Sequence, residues 1–317
     1  MTLHIVHADC REYLATLPEC SIDAVVTDPP YELGFMNKSW DRSGVSLDPA
    51  AWAAVLRVLK PGGHMLAFGG TRTYHRIACA IEDAGFQIRD QLAWLYGTGF
   101  PKSLNLGDGR GTGFKPAQES ICLARKPLEG TVAANVQRWG TGALNIDACR
   151  IGWRSDADKA SGRPVMQSEL GRWPANLLLD EDSAAELDEQ AGGNVSRFFY
   201  TSKASASERE RGLAAAGLPI KSGGEATGRV DGSDGMKSPR AGAGKGGGRR
   251  NHHPTVKPIA LMRYLIRLVT PPGGTVLDPF CGSGTTICAA KLEGFSAVGV
   301  EMNADYCVLA SARVEAT

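Results

Sequence analysis

Short apolar runs alternate with amphipathic stretches along the first hundred residues. Residues 3–8 (LHIVHA) and 23–28 (DAVVTD) are apolar runs of strand length, the pattern of strands buried on both faces. Asp48 and Pro49 then open a helix, with Asp as cap and Pro in the first turn. In it Trp52, Val55, Leu56 and Leu59 recur at i, i+3, i+4 and i+7. KPGG at 60–63 ends this helix, and HMLAFGG follows as a strand. A second helix places Tyr74, Ile77, Ala78 and Ile81 on one face and stops at Gly85. Residues 86–96 (FQIRDQLAWLY) and 119–127 (ESICLARKP) read as further strands. Strands alternating with helices predict parallel βαβ units with helices on both faces, an α/β fold.

From residue 97 the periodicity dissolves. Residues 96–116 are rich in turn formers, and 128–250 hold only short elements, among them a helix from Ser183 and a strand at SRFFYTS (196–202). Regular order resumes after His252. Pro258 starts a helix with Ile259, Met262, Ile266 and Val269 facing the core, and residues 275–314 read strand, tight turn, helix, strand, acid, helix. Two α/β blocks therefore flank a middle too long for a simple loop, which marks it as a functional insert.

Composition narrows the classes. The 317 residues suffice for one large domain or two ordinary ones, and 43% hydrophobic with 22% charged residues is a soluble globular balance. No run approaches the ~20 apolar residues of a membrane span, and no basic-then-apolar leader begins the chain. The 8 cysteines form no Cys-x-x-Cys pair, so a disulfide framework or metal site is not expected and a reducing cytosol fits. His252-His253 has no accompanying ligand cluster, so no metal is expected there either. Net charge is +1, but residues 221–250 carry seven basic residues (Lys221, Arg229, Lys237, Arg240, Lys245, Arg249, Arg250), three acids (Glu225, Asp231, Asp234) and ten glycines. That tract is either a linker or a phosphate-seeking loop.

Two turns carry candidate chemistry. In VLDPFCGSGTT (276–286), Gly282 and Gly284 let backbone approach a ligand where a strand turns into a helix. A dinucleotide fingerprint needs a third glycine where Ile287 stands, and no Gly-Lys-Ser/Thr follows, so NAD and P-loop sites are disfavoured. Asp278 suits an amino group or cation, and Glu301, closing the next strand, suits ribose hydroxyls. Ammonium, sulfonium and ribose together describe S-adenosylmethionine; an ordinary βα turn is the plainer alternative. In VVTDPPYELGFMNKSW (25–40), the Asp28 carboxylate and the Pro29 carbonyl can each accept one N–H of an exocyclic amine. The fixed backbone of Pro29 and Pro30 preorganises that carbonyl, and Tyr31 offers a stacking face, with Phe35, Lys38 and Trp40 beyond it. A Pro-Pro turn closing a strand is the competitor.

DPPY followed far downstream by DPFCGSGTT resembles the amino-methyltransferases of DNA, in the permuted order called the β group. HADCREYLATLPECSIDAVVTDPPY is similar to that family's third and fourth motifs, ESICLARKP to its eighth and HPTVKP to its tenth. The resemblance covers residues 1–127 and 252–317. It implies a Rossmann-like, three-layer, mostly parallel class I methyltransferase sheet, circularly permuted, whose chain starts and ends mid-sheet with LHIVHA beside SAVGV. It implies a catalytic domain of residues 1–127 and 251–317 and an inserted target-recognition region at 128–250, with DNA contacts beginning at the 97–118 loop.

The roles it implies are specific. Asp28, Pro29, Pro30 and Tyr31 hold a base flipped out of double-stranded DNA. Asp278, Phe280, Gly282 and Gly284 line the methionine side of the cofactor, S-adenosyl-L-methionine, and Glu301 its ribose. Asp9 by side chain and Cys10 by backbone meet its adenine; Thr255 and Lys257 lie near its carboxylate. Asp rather than Ser at the head of DPPY leans toward the N6 amine of adenine, with cytosine N4 as the alternative and a non-catalytic DNA-binding relative behind it. Cytosine C5 attack requires a Pro-Cys nucleophile, and none of the 17 prolines precedes Cys. Lys102, Arg110, Lys115, Arg125, Lys126, Arg138, Arg150 and the 221–250 tract are candidates for phosphate contacts. Trp40, Trp139, Arg172 and Trp173 are candidates for probing bases. The acids Asp180, Glu181, Asp182, Glu186, Asp188 and Glu189 turn 180–190 toward solvent. A homodimer and a cognate restriction endonuclease are protein partners the resemblance allows without fixing either; no membrane partner is expected, and the cytoplasm is the expected location.

Overall fold

The computed structural model describes residues 1–34, 39–97, 99, 106, 108–160, 168–202, 206–221, 249–253 and 255–317. Among these residues nine strands form one sheet in the order β1 (Leu3–His7), β9 (Ser296–Glu301), β8 (Thr275–Asp278), β2 (Ile22–Thr27), β3 (Leu59–Gly69), β5 (Gln118–Arg125), β4 (Gln87–Leu95), β6 (Leu177–Asp180), β7 (Tyr200–Ser202). Successive residues of the central strands feed opposite cores, because side chains alternate across a sheet. Ala24, Val26, Leu66 and Phe68 pack under the helices Ile259–Val269 and Thr285–Glu293, whereas Val25, Met65 and Ala67 pack under Pro49–Val58 and Tyr74–Asp83. The result is the expected mostly parallel three-layer α/β sheet. Among the described residues no helix is long and apolar enough to cross a membrane.

The helix reading holds where its chemistry was clearest. Asp48 caps the helix Pro49–Val58 by accepting from the Ala50 N–H at 2.9 Å, and Trp52 and Val55 are buried. Four expectations change. First, β3 starts at Leu59 rather than after KPGG. Ile22 pairs with Leu59 and Ala24 with His64, so Lys60 to Gly63 form a bulge that Gly62 accommodates at φ +74°. Second, β5 runs antiparallel to both β3 and β4. Third, β1 is an edge strand rather than a central one, although it does pair with β9 in parallel. Fourth, the strand expected at 196–202 is confined to Tyr200–Ser202, because residues Val195–Phe198 form a 3₁₀ turn.

The middle of the chain extends the sheet. β6 pairs with β4 and β7 with β6, both in parallel. The helix placed from Ser183 begins at Glu181. Asp180 is its cap, and Ser183 closes a capping box as the third residue. That role buries Asp180, which also accepts from the Gly97 N–H at 3.1 Å, and Asp188 accepts from the Ser196 N–H at 2.7 Å. Glu181, Asp182, Glu186 and Glu189 are exposed as expected.

Candidate active site

β2 and β8 are hydrogen-bonded neighbours running in parallel, Ala24 opposite Val276 and Val25 opposite Leu277. Their carboxyl ends, which carry Asp28 and Asp278, therefore emerge side by side, where ligands bind in open α/β sheets. Both turns line one cavity of about 1260 Å³, together with Asp9, Cys10, Pro29, Pro30, Tyr31, Phe280, Gly282, Glu301, Thr255 and Lys257. That volume exceeds the roughly 300–1,000 Å³ of a pocket for one drug-sized ligand and leaves room for a second.

In one half of the cavity Asp28 divides its two oxygens. Oδ2 accepts from Lys257 Nζ at 2.5 Å, while Oδ1 is buried without a hydrogen-bond partner. A buried, unpartnered carboxylate oxygen is costly unless a ligand satisfies it. Burial raises the Asp28 pKa, the Lys257 ammonium opposes that rise and the Glu119 carboxylate reinforces it. Tyr31 donates from its hydroxyl to Glu119 Oε2 at 2.8 Å, its carbonyl accepts from Thr73 Oγ1 at 2.7 Å, and burial keeps the phenol neutral. Gly70 makes room for the Tyr31 ring, since a Cβ there would lie 2.9 Å from Tyr31 Cδ2. Beyond the motif, Glu32 takes a left-handed φ of +55°. Asp41 holds that turn by accepting from the N–H groups of Glu32 at 2.9 Å and Leu33 at 3.2 Å.

In the other half Asp278 accepts from the hydroxyls of Thr27 at 2.6 Å and Thr286 at 2.5 Å and from the Phe280 N–H at 3.1 Å. Three bonds leave one acceptor position on this carboxylate. Glu301 accepts from the N–H groups of Gly282 at 2.9 Å and Asn303 at 2.7 Å, which aims it at the glycine turn. Gly282 has φ +53°, and a Cβ there would lie 2.7 Å from His253 Nε2. His253 is itself packed edge-on to Tyr306, and burial lowers its pKa to about 3, so its ring is neutral.

Two expected roles are corrected by these contacts. Gly284 stands outside the cavity lining; its φ of +79° starts the helix Thr285–Glu293, and a Cβ there would lie 2.8 Å from that of Ala310. Lys257 belongs to the half built around Asp28, because its ammonium is committed to Asp28 and, at 3.2 Å, to Glu119. Asp9 borders the cavity, and its carboxylate also caps the helix Cys10–Thr16 and pairs with the Arg11 guanidinium at 2.6 Å.

Burial raises the Asp278 pKa to about 6, against ~3.9 in an unfolded chain. Between those values the folded state binds more protons, so this group makes stability fall as pH rises through the window. The two-unit difference corresponds to at most about 3 kcal/mol. Urea denaturation from pH 4 to 7 should show that fall in the wild type and a flatter profile in Asp278→Asn. Parallel profiles would remove the assignment.

The family model for the N6/N4 DNA methylases matches residues 22–312. The chain belongs to this DNA methylase family. It is 25% identical over 247 residues, 78% of the chain, to the type II methyltransferase M.HindIII of Haemophilus influenzae, of whose length it spans 61%. Among solved structures, the PvuII DNA methyltransferase (cytosine-N4-specific) superposes with a TM-score of 0.58 at 19% identity, over 99% of this chain and 86% of that one. The Thermus thermophilus protein TTHA0409, complexed with S-adenosyl-L-methionine, superposes with a TM-score of 0.52 at 19% identity, over 99% and 93%.

Sequence reasoning missed Glu119, the second carboxylate on Lys257. The available signal was its position at the first residue of ESICLARKP, but a strand pattern does not reveal the direction in which the strand runs. Two basic candidates for phosphate contacts are structural instead. Arg125 is buried and donates to Gln87 Oε1 at 2.8 Å, and Lys126 Nζ donates to the Leu59 carbonyl at 2.7 Å. Arg172 is paired with Asp158 and lies against the rings of Trp153 and Phe198, so its charge is spent within the middle of the chain. Arg110 pairs with Asp108, Arg138 with Glu129 and Arg150 with Asp147, and Lys115 donates to the Gly97 carbonyl. Trp139 donates to Glu129, Trp173 is half exposed beside Arg150, and Trp40 lines the cavity. Of the cationic tract, Lys221, Arg249 and Arg250 are described. Its remaining charges, with Phe35, Lys38 and Lys102, lie outside the described residues. Among the described residues no group of three His, Cys, Asp or Glu side chains is arranged to hold a metal.

Proposed function

We propose that this protein methylates DNA at the exocyclic N6 amine of adenine, with S-adenosyl-L-methionine as methyl donor. The observation that carries the reading is the unpartnered Asp28 Oδ1 in the same cavity as Asp278 and Glu301. A lone-pair acceptor with no protein donor suits an amine hydrogen, and the two-part cavity suits a base in one half and the cofactor in the other.

The base enters by leaving the duplex, at a cost of a few kcal/mol. Tyr31 offers its face for stacking. Asp28 Oδ1 accepts one amine hydrogen and the Pro29 carbonyl the other, which draws the nitrogen lone pair out of the aromatic ring and into a nucleophilic orbital. Lys257 holds Asp28 Oδ2, so the carboxylate does not turn away. The cofactor supplies, when bound, an electrophilic methyl group on a cationic sulfur. Asp9, Cys10, Asp278, Phe280, Gly282 and Glu301 are the residues we assign to holding it, with Thr255 at its carboxylate end. The unfilled acceptor position on Asp278 and the side-chain-free cradle at Gly282 fit an ammonium group and a close-lying chain.

Asp at the head of DPPY supports adenine over cytosine, whereas the N4-cytosine specificity of the PvuII neighbour supports the second reading. We infer that the catalytic unit comprises residues 1–127 and 251–317 and that the insert at 128–250 reads the DNA. The test is direct. DNA methylated in vitro is digested to nucleosides and weighed: N6-methyldeoxyadenosine is expected, N4-methyldeoxycytidine transfers the assignment to the second reading, and unmodified DNA with intact cofactor binding rejects both.

A further inference from the structure

β5 runs against its parallel neighbours, so its first residues lie at the carboxyl edge of the sheet where the other strands end. Glu119 is therefore delivered to the cavity by β5, a strand that runs opposite to the one ending in DPPY. It accepts from Tyr31 Oη at 2.8 Å and lies 3.2 Å from Lys257 Nζ. Lys257 in turn lies 2.5 Å from Asp28 Oδ2 and 3.3 Å from Tyr31 Oη. One ammonium thus ties together two carboxylates and the phenol that is to carry the base.

We propose that Glu119 is a positioning residue for methyl transfer. It sets the orientation of the Tyr31 ring and the place of the Lys257 ammonium, and through Lys257 it leaves Asp28 Oδ1 as the free acceptor. The inference rests on the amine-methylating reading above. Glu119 acts on Asp28 in a second way, through charge. The groups facing Asp28 are Lys257 from the segment before the helix Ile259–Val269, Tyr31 from its own turn, Asp278 from β8 and Glu119 from β5. With a single cation against the nearest two acids, Glu119 makes Asp28 easier to protonate.

The test compares full-length wild type, Glu119→Gln and Tyr31→Phe. Wild-type transfer of label to DNA tests the underlying reading by itself; the ratio of variant to wild type tests this one. Glu119→Gln should lower kcat about 10-fold to 100-fold while KM for DNA and the cofactor Kd stay within about threefold. Removing the neighbouring negative charge should also move the acid limb of the kcat profile to lower pH. The carboxyl carbon of Asp28, followed by NMR in the cofactor-free protein, should titrate at lower pH as well. Tyr31→Phe removes only the hydroxyl, so it should lower kcat without the same displacement, and the double variant should lose less than the product of the two single losses. Unchanged kcat in Glu119→Gln overturns the proposal. So does a loss with neither the pH profile nor the Asp28 titration displaced, or a loss that appears in cofactor affinity instead.

Discussion

Asp28→Ala is expected to lose methyl transfer by at least about 10²–10³-fold while binding the cofactor within about threefold of wild type. The magnitude is that of removing one preorganised polar group from a water-poor reacting centre, about 3–4 kcal/mol of barrier. The split between chemistry and binding follows from the two halves of the cavity. Asp28 touches Lys257, whereas the cofactor half is organised by Asp278, Glu301 and the glycine turn. Folding is spared because Lys257 keeps Glu119 as counter-ion at 3.2 Å. Tritium transfer to plasmid measures the first quantity and titration calorimetry the second. Undiminished label in the variant would refute the role of Asp28, and lost cofactor binding would refute the division of the cavity.

Lys257→Ala should be the most destabilising single change at the site, by about 3 kcal/mol at pH 7.5. Deleting the cation of a buried cluster leaves its anions uncompensated, a class of change that costs about 3–5 kcal/mol. The lower end applies because Asp28 and Glu119 keep side-chain exposures of 19% and 21%. Burial by itself lowers the Lys257 pKa, but the two carboxylates more than offset this and raise it above its unfolded value. Its contribution is therefore fully present at neutral pH and is lost only in strong alkali. The variant reverses the pattern. Two carboxylates without a cation hold protons more tightly when folded, so its deficit should shrink as pH falls from 7.5 to 5. Urea denaturation at both pH values checks this; a deficit under about 1 kcal/mol, or one independent of pH, contradicts the charge argument.

Much of the fold was legible because apolar periodicity reports which faces are buried. The runs at 23–28 and 276–278 fall on the strands Ile22–Thr27 and Thr275–Asp278, and the Trp52 and Val55 face is buried as its spacing required. The turns at Asp28 and Asp278 were legible from the chemistry of their residues, and they do line one cavity. Periodicity carries no direction, however, so the antiparallel course of β5 was not visible and Glu119 was passed over. Charge type carries no burial either. Arg125 and Lys126 look in sequence like phosphate ligands, but in the fold they are spent on Gln87 and on the Leu59 carbonyl. Gly284 shows the same limit for glycine: a left-handed residue at a helix start serves a ligand or a neighbouring helix alike, and here the neighbour is Ala310.

The class of sheet, the two chemically marked turns and the family of the chain are all written in its residues. All three follow from local pattern and residue type, which need no knowledge of distant partners. That β2 and β8 lie side by side, that Lys257 crosses to Asp28, and that Glu119 arrives from an antiparallel strand emerges from the folded molecule alone. Those contacts join residues 138 to 251 positions apart. Strand order and direction select such partners, and both depend on how whole faces pack.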